Sequence, residues 1–261
     1  MEESQVRQPC ILLGASNLIL GWNAVTTALQ EAIRGPVDLY VACGMGRSYV
    51  NWSGFGFRRL PGIQTCGLWE ELKAAPELSD GVIPRVLITD IGNDLVYGRS
   101  PEVTLAAVVE CVDRIQAWSP LSDIVVTGLP LESVWTLSSI RFRIARSLLF
   151  AGCTLSLKEI QSRAEQTQQL LSEIAGARGL TLASTQREWY GLDPIHVRRS
   201  LRLQAFRQYL SGWRIAARSD ATHNLSISIV RPTAAERMLF GRTIVCAQPS
   251  VELSGIRVSA Y

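Results

Sequence analysis

The sequence predicts a three-layer α/β/α sandwich: a doubly wound parallel sheet of about five strands, with a small β-rich C-terminal appendage. Two observations carry this. Apolar runs rich in β-branched residues recur at Cys10–Leu13, Val37–Ala42, Val86–Ile91, Ile124–Gly128 and, more weakly, Leu180–Ala183. Segments of helical period lie between them, and near-continuous apolar strands separated by helices belong to a parallel sheet covered on both faces.

The first run ends in Gly14-Ala15-Ser16-Asn17, a tight turn, and an amphipathic helix is expected from about Gly21 to Arg34. Between the second and third runs, Gly44–Pro84 is too long for a simple crossover and carries Trp52, Phe55 and Phe57 among many glycines. Val103–Trp118 places Leu105, Val108, Val109, Val112, Ile115 and Ala117 close to one helical face, with Pro101 near its start. A second long connection, Pro130–Lys158, holds Trp135, Phe142 and Phe150 amid Arg141, Arg143 and Arg146. Long loops on a rigid scaffold are commonly lids or binding walls, though their aromatics can equally pack the loop onto the core. Ile160–Arg178 reads as a helix closed by Gly179. Asp193-Pro194 then reads as a helix start, with the helix running to about Trp213. The tail alternates as strands do, over Ser226–Val230, Thr243–Ala247 and Gly255–Ser259. The expected division is an α/β domain over residues 1–218 and a β-rich extension over 219–261, packed on or beside it.

The chain has 261 residues, 47% of them hydrophobic and 19% charged, which fits a folded domain with a sizeable core. No run approaches the roughly 18 apolar residues of a membrane span, and the first eight residues do not read as a signal peptide. With six cysteines in no metal-ligand spacing and only two histidines, the expectation is a cytoplasmic protein with free buried thiols. No metal or other cofactor is expected. The net charge of +3 is uneven: 16 basic against 20 acidic residues up to position 196, then 10 against 3. A solvated basic helix face accounts for such a bias as readily as an anionic partner.

Four stretches at inferred strand ends could carry chemistry, because ligands of open α/β sheets bind at the carboxyl ends of the strands. They are Gly14-Ala15-Ser16-Asn17, then Cys43-Gly44-Met45-Gly46-Arg47-Ser48, then Thr89-Asp90-Ile91-Gly92-Asn93-Asp94, and last Asp193-Pro194-Ile195-His196. Each has an ordinary reading as a turn or a cap. Asp90 and Asp94 flank Asn93 without a third hard ligand, so a metal site is not expected there. His223 is the alternative histidine.

In that order the four stretches resemble the SGNH hydrolase superfamily, the GDSL-like esterases and lipases, over Pro9 to about Gly212. The resemblance implies a flavodoxin-like fold and a serine hydrolase without a cofactor, cleaving a small ester such as a carbohydrate O-acyl ester through an acyl-enzyme. It implies Ser16 as nucleophile, His196 as general base and Asp193 as the carboxylate orienting it. The oxyanion hole would come from the backbone N–H groups of Ser16 and Gly46 and the side chain of Asn93, with Gly44 competing for the second place. Two positions depart from the pattern: Ala15 stands where an aspartate is usual, and Gly92 is displaced by one residue before Asn93. A catalytically inactive binding or assembly protein on the same scaffold is the alternative. A nucleotide-binding reading lacks the third glycine of a dinucleotide fingerprint and any Gly-Lys-Ser/Thr, and Ser16 lacks a Gly-x-Ser-x-Gly elbow. The expected partner is a small-molecule ester, without nucleic acid or membrane, and a homo-oligomer through the C-terminal extension is left open.

Overall fold

The structure is a computed structural model that describes residues 6–33, 35–75, 78–79, 81–150, 152–215, 230–253 and 255–261. The elements run in the order β1 (Gln8–Leu13), α1 (Ser16–Leu20), α2 (Trp22–Ala32), β2 (Val37–Ala42), β3 (Ser53–Phe55), β4 (Arg58–Leu60), α3 (Leu68–Ala74) and β5 (Arg85–Ile88). There follow α4 (Asn93–Val96), α5 (Pro101–Trp118), β6 (Asp123–Thr127), α6 (Leu131–Trp135), α7 (Ser139–Leu149), α8 (Leu157–Arg178) and β7 (Thr181–Ala183). The chain closes with α9 (Arg202–Leu210), β8 (Glu236–Leu239), β9 (Arg242–Val245), β10 (Val251–Leu253) and β11 (Ile256–Ala260).

Among the described residues the main sheet has seven strands in the order β10-β11-β2-β1-β5-β6-β7, parallel except for β10. The strands β1, β2, β5, β6 and β7 follow the expected runs, with β7 at one edge of the sheet. Alternation along β1 sends Cys10 and Leu12 into the core on one face, with Trp22, Val25 and Phe206, and Ile11 and Leu13 into the other, with Leu105, Val108 and Val112. The helix boundaries have local causes. Ser100 accepts the Val103 N–H ahead of Pro101 at the start of α5, and Ser156 and Glu159 form a capping box on α8. Gly179 ends α8 in the left-handed conformation at φ 65°.

Three expectations need correction. The sheet exceeds five strands because β11 pairs in parallel with β2 (Ile256 beside Val37, Ala260 beside Val41), so the last residues extend the sheet itself. The 130–158 connection is mostly helical, as α6 and α7, and 44–84 contains the β3–β4 hairpin and α3. The helix expected from Asp193 begins only at Arg202, after an irregular stretch. In the tail, β4 pairs with β8, which pairs with β9, making a four-stranded antiparallel sheet with β3. The expected strand over 226–230 lies, up to residue 229, outside the described residues, as do the 218/219 boundary and His223.

The strand order reverses on either side of β1, whose neighbours β2 and β5 lead away in opposite directions. The crevice of a doubly wound sheet opens at such a point, beyond the carboxyl ends of the strands. Here that is the end of β1 and β5, where Ser16 and Asn93 follow.

Candidate active site

Ser16 is the first residue of α1, carried past the end of β1 by Gly14 and Ala15. Position 14 has no room for a side chain: a Cβ there would lie 2.7 Å from Thr89 Oγ1 and 2.9 Å from Leu18 Cδ1. Ser16 is almost wholly buried. Its hydroxyl oxygen lies 2.7 Å from His196 Nε2, across 180 residues of chain. On the far side of the ring, His196 Nδ1 lies 2.6 Å from Asp193 Oδ2. An ionised carboxylate only accepts hydrogen bonds, so the ring proton sits on Nδ1 and Nε2 is the acceptor for the Ser16 hydroxyl.

Asp193 holds its own turn as well. Its Oδ1 accepts the backbone N–H groups of Ile195 and His196, each at 3.1 Å, an Asx-type turn that takes the place of the expected helix start. Partial burial pushes its carboxyl upward. The hydrogen bond and charge of His196, with the two backbone N–H groups, outweigh that and leave it below the ordinary carboxylate range.

Sequence reasoning missed a second pair of residues, Asn17 and Asp90. Asn17 Oδ1 accepts the Val197 N–H (2.9 Å), and its Nδ2 donates to the carbonyl of Ile195 (3.0 Å). One amide thus grips the backbone on both sides of His196. The same Nδ2 donates to Asp90 Oδ1 (2.6 Å), while Asp90 Oδ2 accepts the Ala15 N–H (2.8 Å) and the Thr89 hydroxyl (2.9 Å). A carboxylate therefore lies against the turn where Ala15 lacks one, supplied from the neighbouring strand end. The signal was present: Asn17 adjoins Ser16, and Asp90 is a carboxylate at the tip of a strand. Asp90 also adopts φ 60°, a left-handed conformation rare outside glycine and Asn/Asp, whereas Gly92 is ordinary helical backbone at φ −65°. The displaced glycine is thus not what makes this turn.

Asn93 opens α4, buried, with Nδ2 donating to the carbonyl of Arg47 at 3.2 Å. That bond brings it beside the second glycine of Gly44-Met45-Gly46. Gly46 sits at φ 61°, and a Cβ there would meet Tyr97 Oη at 2.9 Å and the Gly54 carbonyl at 3.0 Å. Gly44 instead faces Leu60, and its carbonyl accepts the Arg47 N–H. The loop is fixed by two buried charges. Arg47, with no exposed surface, donates to the carbonyls of Pro61 (3.1 Å), Cys43 and Tyr261. Asp94 accepts the Ser48 hydroxyl and the N–H groups of Tyr49 (2.8 Å) and Val50. Burial holds the Asp94 carboxyl above its usual range, although those three donors pull it down. Asp90 and Asp94 therefore serve separate loops; among the described residues no group of three His, Cys, Asp or Glu is placed to hold a metal ion.

An apolar cavity of about 100 Å³ opens beside Ser16 and Asn93, walled by Leu129, Val134, Phe150 and Ile160. Among the described residues no helix is long and apolar enough to cross a membrane.

No family model matches the chain, and no curated protein is similar to it in sequence. Solved structures are similar in fold. A proposed arylesterase from Agrobacterium tumefaciens superposes with a TM-score of 0.50 at 13% identity, over 78% of this chain and 97% of that one. A GDSL-like lipase from Bacteroides thetaiotaomicron (TM-score 0.44, 8% identity, 78% and 85% covered) and a carbohydrate esterase of family 3 from Talaromyces cellulolyticus (0.43, 11%, 78% and 94%) are more distant. The chain shares an α/β fold with the first of these, a mostly parallel sheet flanked by helices.

Proposed function

We propose that the chain is a serine-type carboxylic ester hydrolase, with Ser16 as nucleophile, His196 as general base and Asp193 as the carboxylate that orients the imidazole. The observation that carries this reading is the unbroken line of contacts from Ser16 Oγ to His196 Nε2 (2.7 Å) and from His196 Nδ1 to Asp193 Oδ2 (2.6 Å). A serine hydroxyl is a weak nucleophile until a neighbouring base takes its proton as it attacks. His196 accepts that proton and later returns it to the departing alcohol, while Asp193 stabilises the imidazolium formed between the two steps. Water, activated by the same imidazole, then releases the acid from Ser16.

The carbonyl oxygen becomes negative as the tetrahedral intermediate forms, and donors must already be aimed at it. The backbone N–H of Ser16, at the start of a helix, has no partner within that helix. With the N–H of Gly46 and the remaining Nδ2–H of Asn93, it supplies the oxyanion site. Asn93's bond to the carbonyl of Arg47 supports Gly46 over Gly44. The substrate is a small ester. The cavity beside Ser16, walled by Leu129, Val134, Phe150 and Ile160, offers an apolar surface for the acyl group. The test is hydrolysis of p-nitrophenyl acetate and butyrate by the wild type and by Ser16→Ala, with circular dichroism to establish folding. Turnover by the wild type that vanishes in folded Ser16→Ala supports the reading, and equal turnover by both ends it.

A further inference from the structure

The helix α7 presents a face that the catalytic reading does not use. Ile140, Ile144 and Leu148 are 63%, 56% and 69% exposed, although isoleucine and leucine at such regular spacing ordinarily mark a core-facing stripe. At 3.6 residues per turn these three, each four apart, fall within about 80° of one another around the helix. The opposite face is what binds α7 to the protein. Phe142 is buried there with Val134, Cys153 and Ile160, and the Arg146 guanidinium covers its ring at 5.8 Å. The helix is therefore held by its Phe142 face, with its apolar ridge turned outward.

The ridge has charged margins of one sign. Residues 139–149 contain three arginines and no acidic residue. Arg143 is exposed on one side of the ridge. Arg141 lies on the other, where it donates to the carbonyls of Gly191 (2.8 Å) and Leu192 (3.2 Å). Leu192, whose backbone Arg141 holds, is itself 88% exposed, and Trp135, four residues before α7, is 50% exposed. An apolar ridge bordered by arginines, with an exposed tryptophan and leucine nearby, has the chemistry of a helix lying in the plane of a membrane surface. Its apolar side chains enter the acyl boundary while the guanidinium groups meet phosphate.

We propose that α7 is a peripheral docking face for an anionic lipid surface, with Ile140, Ile144 and Leu148 inserted and Arg143 against the headgroups. The positive margins favour this occupant over a second copy of the chain, whose α7 would bring like charges together. The site also places the lipid surface beside the crevice, because Phe150, directly after α7, walls the cavity at Ser16.

The experiment is co-sedimentation of the full chain with vesicles of phosphatidylcholine alone and of phosphatidylcholine containing roughly one-third phosphatidylglycerol. It reads binding without catalysis, so Ser16→Ala must sediment as the wild type does and a failed hydrolase reading leaves the result intact. The wild type is expected to sediment with the anionic vesicles, less so at high salt, and weakly with phosphatidylcholine alone. The double variant Ile144→Glu/Leu148→Glu should lower the partition coefficient by about tenfold or more, with an unchanged thermal unfolding midpoint because both positions are exposed. Arg143→Glu should remove most of the preference for anionic vesicles. Wild-type protein that stays in the supernatant with both vesicles would overturn the proposal, as would a double variant that sediments like the wild type. Equal sedimentation with the two vesicle types would overturn the anionic assignment. Self-association that the double variant abolishes, seen by sedimentation velocity with no vesicle binding, would give the face to a second copy.

Discussion

Asp193 and His196 lie three residues apart in one turn, whereas Gly46 and Asn93 come from two strand ends and are tied together through distant parts of the chain. The two arms that meet at Ser16 are thus held by different means. On the histidine side the bonds are local and partly wet: Asp193 is 43% exposed at its side chain and closes its own turn on residues 195 and 196. Asn17, with Asp90 behind it, fastens that turn to α1. On the asparagine side the supports are long-range and dry. Arg47 and Asp94 have no exposed surface, and Arg47 reaches the carbonyl of Tyr261 at the far end of the sequence. Under the proposed mechanism the relay is held more loosely, while the oxyanion donors would be fixed in advance, which is where preorganisation counts most in acyl transfer.

This contrast can be broken at graded points. The largest effect is expected at the relay. Ser16→Ala or His196→Ala should lower kcat for a p-nitrophenyl ester by about 10⁴-fold or more, and Asp193→Asn by about 10³- to 10⁴-fold, because the amide can stabilise the wrong tautomer. Asn93→Ala removes one proposed oxyanion donor, and a loss of about 10²- to 10³-fold in kcat with little change in KM is expected from steady-state kinetics. Asn17→Ala should cost about 10- to 100-fold in kcat, since it loosens the histidine turn without touching a reacting atom. Asn17→Asp should not rescue it: a carboxylate cannot donate to the Ile195 carbonyl and would face Asp90. Equal activity in Asn17→Ala and the wild type would remove that residue from the account.

The smallest effect is on stability against acid. The folded state holds the Asp193 carboxyl below its ordinary value, so the ionised form is favoured on folding. That contribution is fully present above the unfolded value of about 3.9 and is lost as pH falls through the lower folded value. Urea midpoints measured through this window should fall less steeply for Asp193→Asn than for the wild type. The exposure of Asp193 keeps the difference modest. Parallel curves would show that the turn does not depend on the charge.

What the sequence revealed follows the same division. The strands β1, β2, β5 and β6 and the helices α5 and α8 were legible because burial on both faces and a 3.6-residue period leave a direct imprint on residue order, while β7, a half-buried edge strand, left a weaker one. Also legible was the grouping of Asp193 with His196, which needs only a short turn. The seven-stranded sheet was not legible, because β11 reads as an isolated alternating strand and nothing in residues 256–260 names β2 as its partner. The roles of Asn17, Asp90, Arg47 and Asp94 were hidden for the same reason: each bonds across loops, and a lone polar residue after a strand reads as a turn former. The ridge of α7 was hidden differently. Its spacing is that of a buried face, and only the packing of Phe142 shows which side points inward.

The central claim is that the imidazole of His196 activates the hydroxyl of Ser16. Treatment with a fluorophosphonate, followed by peptide mass spectrometry, reads that directly and needs no knowledge of the natural ester. A single phosphonyl adduct on Ser16 in the wild type, slowed by orders of magnitude in folded His196→Ala, is the predicted result. An unmodified Ser16 in folded wild-type protein, or labelling that proceeds equally without His196, would contradict it.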